Sequence, residues 1–144
     1  MKFEDIFASW EVDSRIDRTE LGNESLNTPK LHHKYYMMFS AERFILKELE
    51  ATMRRLKLEK YEFYSQGHTP ETKKRGWELP SRGLILKADI PLYMDGDKDI
   101  IELSLKIGMQ QEKVDFLADI IKTLHSRGYA IKNAIDFYRF QQGG

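Results

Sequence analysis

Apolar residues recur every three or four positions along most of this chain, which is the spacing of one face of an α-helix. The first such ladder covers residues 29–65, where no glycine or further proline follows Pro29. Its apolar members are Leu31, Tyr35, Met38, Ile45, Leu49, Met53, Leu56 and Phe63. Glu42 and Lys60 occupy its polar steps. The pattern predicts one long helix that starts at Pro29, after the cap candidate Thr28, and that needs a partner helix.

A second ladder covers residues 97–141 and keeps one register throughout. Its members are Leu103, Ile107, Gln110, Val114, Leu117, Ile121, Leu124, Gly128, Ile131, Ile135 and Tyr138. Asp95 and Asp97 are cap candidates at its start. Two alternatives remain open at its far end. In the first alternative, the segment is one helix that bends at Gly128. In the second, it consists of two helices separated at Gly128, because residues 126–128 also form a helix stop signal.

The segment before the first ladder, residues 1–27, is predicted to hold short helices. Residues 3–10 have apolar positions at helical spacing and predict an amphipathic helix. Asp17, followed by Glu20, resembles a capping box, which predicts a second short helix ahead of the long one.

The segment between the ladders, residues 66–94, is rich in glycine and proline up to residue 83 and predicts a loop. Residues 84–94 are predicted to be extended, as a short edge strand, since Pro91 removes a backbone donor. With two dominant helical ladders, the fold class is all-α. We expect residues 1–144 to form a single domain whose long helices pack as a bundle or coiled-coil oligomer.

Composition excludes several classes of protein. The chain has 144 residues, of which 41% are hydrophobic and 32% charged, as in a folded domain. It has no cysteine, so it can form neither disulfides nor thiolate sites, and a reducing cytosol fits. The acidic opening of the chain argues against a signal peptide, and no apolar run is long enough to span a bilayer.

The motifs of catalysis and metal binding are missing from the sequence. It contains no phosphate-binding glycine loop, no nucleophile elbow and no HExxH motif. His32 and His33 are adjacent and point about 100° apart on a helix. A DxDxD run at 95–99 resembles a calcium loop, but Ile100 and Lys106 stand where glycine and glutamate are needed. We expect no enzyme activity, metal or cofactor, and interpret the aspartates as helix caps.

The charge distribution indicates a binding surface. The chain has 23 basic and 23 acidic side chains, yet residues 53–87 hold nine basic and four acidic ones. Cations attract phosphates, and aromatic rings among them provide surfaces on which unpaired bases stack. The candidate DNA-binding residues are Arg54, Arg55, Lys57, Lys60, Tyr61, Lys73, Lys74, Arg75 and Trp77. Arg82 belongs to the same segment.

Structural interpretations of the same residues stand beside this one. A basic run on a long helix is often only a solvated face. Phe63 and Tyr64 lie on the apolar stripe and are expected in the core or at an interface. Lys60 also lies on that stripe, so its ammonium group reaches solvent, faces a carboxylate or lines a charged inner surface.

Four segments resemble one known family. The chain opens Met-Lys-Phe-Glu-Asp, similar to the family's Met-x-Leu-Glu-Asp, and Ile16 and Asp17 match its Ile-Asp. Tyr64 and Ser65 close the long helix like its Tyr-Tyr-Ser. Residues 126–141 begin Ser-Arg-Gly-Tyr-Ala-Ile-Lys, similar to its Ser-Arg-Gly-Phe-Ala-Ile-Lys. The chain thus resembles the UvsY recombination mediators of T-even-like phages, particularly the divergent members from marine phages.

The resemblance implies a mediator without catalytic activity that binds single-stranded DNA and assembles as a ring-shaped homo-oligomer. Its implied partners are a UvsX-like (RecA-like) recombinase and the phage single-strand-binding protein, which the recombinase replaces on DNA. Its implied location is the cytoplasm of the infected bacterial host. The family's basic pair before Tyr-Tyr-Ser matches Lys60 at its second position and Leu58 at its first, so Lys57 or Arg54 would supply the missing charge.

Assembly is expected to depend on the second ladder. The predicted oligomer interface consists of Leu103, Ile107, Val114, Leu117, Ile121, Leu124, Ile131 and Ile135. The alternative to a mediator is a helical adaptor or structural phage protein that assembles through coiled coils and binds no nucleic acid.

Overall fold

A computed structural model describes residues 1–80, 83 and 85–143, and within these residues the chain is helical without β-strands. The all-α fold class predicted from the ladders is therefore confirmed. The helices are α1 (Phe3–Asp13), α2 (Leu21–Gln66), α3 (Pro70–Lys74), α4 (Ile90–Asp95) and α5 (Lys98–Gln141), with a 3-10 turn at Lys87–Asp89. Within the described ranges, no helix has an apolar stretch long enough to cross a membrane.

Helix α2 begins at Leu21, so the predicted start at Pro29 and the predicted separate helix after Asp17 are both wrong. Asp17 instead forms a side-chain turn ahead of α2. Its carboxylate accepts the Thr19 amide at 2.9 Å, and its own amide donates to the Glu24 carboxylate at 2.9 Å. Such local hydrogen bonds compete with helix formation, which explains why the helix begins after this turn.

Pro29 lies inside α2 where a buried arginine of α5 supports the preceding turn. Proline cannot donate the backbone hydrogen bond of a helix interior and weakens the turn before it. The Arg127 guanidinium donates to the Glu24 carbonyl and to the Thr28 hydroxyl, and it lies 3.4 Å from the Glu24 carboxylate. Only 5% of the Arg127 side chain is exposed. Arg127 therefore binds the turn that Pro29 weakens.

The described chain divides into two compact units, to both of which α2 and α5 contribute. Unit 1 comprises Met1–Phe44 and Gln111–Gly144. Its core consists of Ile6, Leu31, Tyr35, Leu117, Ile120 and Leu124. Tyr35 is fully buried, and its hydroxyl donates to Asp13 at 2.8 Å, which joins α2 to the end of α1.

Helix α5 is continuous through Gly128, so of the two alternatives the single helix is correct. The ladder step after Leu124 is taken by buried Arg127, whereas Gly128 is exposed. Of the eight predicted interface residues, four are buried within one protomer: Val114, Leu117, Leu124 and Ile131. The other four are partly buried: Leu103, Ile107, Ile121 and Ile135. Contacts within one protomer are therefore sufficient to bury Val114, Leu117, Leu124 and Ile131.

Unit 2 comprises Ile45–Gln110, and its core consists of Phe63, Tyr64, Trp77 and Ile90. The predicted extended segment is wrong, since helical structure covers 87–95. Pro91 lies in the first turn of α4, where a missing backbone donor costs nothing. Leu84 of that segment and Arg82 of the basic run lie outside the described residues.

Replacing Arg127 by Met should lower the free energy of unfolding by about 3 kcal/mol, because the Glu24 carboxylate and the hydrogen-bond acceptors in the turn before Pro29 lose a buried partner. Urea unfolding at fixed protein concentration measures the change. Lys132→Met, at an exposed position of the same helix, is the control and should be near neutral. Equal unfolding midpoints for the two variants would show that Arg127 has no such role.

Candidate nucleic-acid interface

The exposed basic face of α2 lies in unit 2. Arg54, Lys57 and Tyr61 share one side of the helix, because positions three and seven residues apart align on an α-helix. All three are exposed, and 39% of Tyr61 is accessible. Arg55 is exposed as well and borders an open depression together with Arg54 and with Glu71 of α3. This face presents cations and one aromatic ring to solvent.

Two further predicted residues, Lys73 and Lys74, are exposed in the last turn of α3. This short helix lies within the predicted loop and is started by a capping box. The Thr69 hydroxyl accepts the Thr72 amide at 3.2 Å, and the Thr72 hydroxyl accepts the Thr69 amide at 2.8 Å. Lysines at a helix C-terminus are also favoured by the helix dipole.

Lys60 is enclosed, with 3% of its surface exposed. Its Nζ lies 2.8 Å from the Asp99 carboxylate and 3.0 Å from the Asp97 carboxylate. It also lies 3.9 Å from the centroid of the Trp77 ring, a cation–π distance. Of the three alternatives for a lysine on the apolar stripe, the structure shows the one in which it faces carboxylates.

Asp97 binds several groups of unit 2 through one carboxylate. It caps α5 by accepting the Ile100 amide at 3.1 Å, and it accepts the buried Tyr64 hydroxyl at 2.6 Å. The cap prediction is thus confirmed for Asp97 and wrong for Asp95, which is the last residue of α4. Burial alone would raise the pKa of Asp97. The hydrogen bonds from Tyr64, Ile100 and Lys60, with the charge of Lys60, hold that pKa below its ordinary value of 3.8. Burial and the bond to Asp97 raise the pKa of Tyr64.

Trp77 is buried, with 8% of its surface exposed. The Arg75 guanidinium lies 4.2 Å from its ring centroid and forms an ion pair with Glu59, and Phe63 packs edge-on at 5.4 Å. The structure therefore brings Lys60, Arg75 and Trp77 into one cluster. In this arrangement the Trp77 ring is covered and offers no face to a base.

The carboxylate partners were not recognised from the sequence as partners of Lys60. The signal for Lys60 is a charged residue at an apolar step of a long ladder. Arg127 has no such signal, because the sequence pattern assigns its ladder step to Gly128. Both cations turn out to be buried and paired. Within the described ranges, no group of three or more side chains is arranged to hold a metal ion.

Replacing Lys60 by Met should lower the free energy of unfolding by about 3 kcal/mol at neutral pH, because the buried Asp97 carboxylate loses its cation. Lys57→Met, at an exposed position on the same helix, should be near neutral. Urea titrations of both variants against wild type measure the difference.

The pH dependence provides a second measurement of the same pair. Because the folded pKa of Asp97 is depressed, its stabilisation is complete above pH 3.8 and is lost as pH falls through the folded pKa. The gap between wild type and Lys60→Met should narrow as the pH falls, because without Lys60 the buried Asp97 carboxyl has a higher pKa and takes up its proton before the wild-type carboxyl does. A gap that stays constant on acidification would contradict the assignment to Asp97.

Comparison with known proteins agrees with this architecture. A family model described as "Recombination, repair and ssDNA binding protein UvsY" matches residues 9–144. The recombination protein uvsY of Enterobacteria phage T4 is 24% identical over 144 residues, which cover 99% of each chain.

Two crystal structures of the bacteriophage T4 recombination mediator protein UvsY share the fold. One has a TM-score of 0.80 at 24% identity and covers 99% of this chain and 98% of its own. The other has a TM-score of 0.79 at 22% identity and covers 98% of this chain and 99% of its own. The family model extends over nearly the whole chain, and the chain belongs to the UvsY family of recombination, repair and single-stranded-DNA-binding proteins.

Proposed function

We propose that this protein is a recombination mediator without catalytic activity. It binds single-stranded DNA and helps to load a RecA-like recombinase onto DNA covered by single-strand-binding protein, in the cytoplasm of the infected bacterial host. The observation that carries the proposal is the exposed face of α2 formed by Arg54, Arg55, Lys57 and Tyr61, in a chain of the UvsY family. Cations bind phosphates there, and the Tyr61 ring stacks on a base.

Assembly explains how a protein without net charge binds DNA. A homo-oligomer, as a ring, repeats one small basic face many times, and linked sites bind far more tightly than one site alone. Apolar side chains at the end of α5 are available for such contacts, since 58% of Phe137 and 79% of Phe140 are exposed. Exposed aromatic residues of this kind are typical of protein interfaces.

The alternative, an adaptor that assembles without nucleic acid, is favoured by the same exposed apolar residues. Titration of labelled oligo-dT at two salt concentrations separates the two functions. A mediator binds more weakly at high salt, because each phosphate contact releases counterions. An adaptor gives no binding at either salt concentration.

Replacing Arg54, Arg55 and Lys57 together by Ala should weaken binding of oligo-dT. Each phosphate contact on a single strand contributes about 0.7 to the slope of log K against log salt, so the slope should fall by about 2 per site engaged. Fluorescence anisotropy at several salt concentrations measures both quantities. Tyr61→Ala should lower affinity with little change of slope, since stacking releases no counterions.

A matched triple variant serves as the control. Lys30, Lys122 and Lys132 are exposed residues of unit 1, and their replacement by Ala removes the same charge. This control should retain most of the affinity. Equal losses in the two triple variants would rule out the α2 face as the DNA site.

Replacing Phe137 and Phe140 together by Lys should reduce the mass measured by light scattering, because both side chains are exposed in the protomer and available to a neighbour. Circular dichroism should remain helical. Leu26→Lys, at an equally exposed apolar position of α2, should keep the wild-type mass. Leu117→Lys should instead unfold the protein, since Leu117 is fully buried. A folded double variant with unchanged mass would exclude this end of α5 from assembly.

A further inference from the structure

The two carboxylates that neutralise Lys60 differ in how firmly they are held. Asp97 is buried and also binds the Tyr64 hydroxyl and the Ile100 amide. The side chain of Asp99 is 43% exposed, and its ion pair is with Lys60. Of the two, Asp99 is the one that can leave, because water can solvate its charge and Asp97 still neutralises Lys60.

The cavity around Asp99 holds cations that a second anion can contact. Its volume is about 480 Å³, and beside Trp77 it is lined by three cations, Lys60, Arg75 and Lys98, and by three carboxylates, Asp97, Asp99 and Glu78. When Asp99 leaves, the remaining charged groups of the lining have a net charge of +1. A carboxylate and a phosphodiester each carry one negative charge and accept hydrogen bonds from the same ammonium and guanidinium groups. In this cavity Asp99 occupies the position at Lys60 that a phosphate oxygen would take.

We propose that Asp99 is an internal competitor for the DNA backbone. Without DNA it holds Lys60, and a phosphate of single-stranded DNA displaces it, so that Lys60 becomes a DNA contact beside Arg75 and Lys98. The inference rests on the proposed DNA-binding function. It adds that the ion pair between Asp99 and Lys60 lowers the affinity for single-stranded DNA. A site that is occupied by its own carboxylate binds ligand more weakly, in proportion to the fraction of molecules in which the site is open.

The exchange meets the electrostatic requirements of a buried cation. One anion replaces another, so Lys60 is never left unpaired. Asp97 keeps its contacts with Tyr64 and with the first turn of α5, so the fold around the cavity is retained. Displacement also replaces a carboxylate by a phosphate in the cavity that Trp77 lines, and the Trp77 ring lies 3.9 Å from Lys60 Nζ.

The test compares Asp99→Asn with Asp89→Asn, an exposed aspartate of unit 2 whose replacement removes the same charge. Asp99→Asn should bind oligo-dT up to about fivefold more tightly than wild type, the fold-change that corresponds to the loss of one half-exposed ion pair. Asp89→Asn should give a smaller gain, limited to the general electrostatic effect. The inference is overturned if the two variants change affinity equally.

A fluorescence measurement reports directly on the cavity. The chain has two tryptophans, and a Trp10→Phe background leaves Trp77 as the single reporter. Addition of oligo-dT should shift the emission of Trp77, and in Asp99→Asn the shift should occur at lower DNA concentration. Emission that stays unchanged at saturating DNA would show that the cavity does not open.

The two proposals fail in different ways. Wild-type protein that does not bind oligo-dT even at about 50 mM salt would overturn the proposed function and this inference with it. Wild-type protein that binds, with Asp99→Asn and Asp89→Asn alike, would overturn the competitor and leave DNA binding intact.

Discussion

A buried ammonium group is stable in a protein only when anions and hydrogen-bond acceptors surround it, and Lys60 imposes that requirement on unit 2. Removing a charge from water costs several kcal/mol, which the carboxylates of Asp97 and Asp99 and the ring of Trp77 must offset. The start of α5 and the segment carrying Trp77 are therefore both held against α2 by one cation. The exposed cations of α2, Arg54, Arg55 and Lys57, are solvated by water and need no buried anion.

Unit 1 uses the same principle with the helices exchanged. In unit 2 the cation belongs to α2 and the carboxylates lie at the start of α5, whereas in unit 1 Arg127 of α5 binds the first turns of α2. Each cation replaces an apolar residue at one step of a ladder. An ion pair with directed hydrogen bonds specifies the contact between two long helices more narrowly than apolar packing does, because apolar ladders also fit in shifted registers.

The two long helices could be predicted well from the sequence, because the apolar periodicity that indicates a helix is a local pattern. It failed at the start of α2, where the signal of Thr28 and Pro29 is strong but Arg127, about a hundred residues away along the chain, supports a continuous helix. The candidate DNA-binding residues could be chosen by residue type, but their exposure to solvent could not be predicted. Trp77 and Lys60 are covered by residues from distant segments, whereas Arg54 and Lys57 remain exposed. Such tertiary contacts have no periodic signature.

The double role of Asp97 has a consequence for how the protein opens. The same carboxylate starts α5 and neutralises a lysine of α2, two positions well separated in the sequence. If the first turn of α5 frays, Lys60 loses the carboxylate of Asp97. If the end of α2 loosens, Asp97 loses the Lys60 ammonium and the Tyr64 hydroxyl that hold it in place as the cap of α5. Local opening at either place is thus coupled to the other, and we expect amide hydrogens at both places to exchange with solvent as members of one cooperative unit.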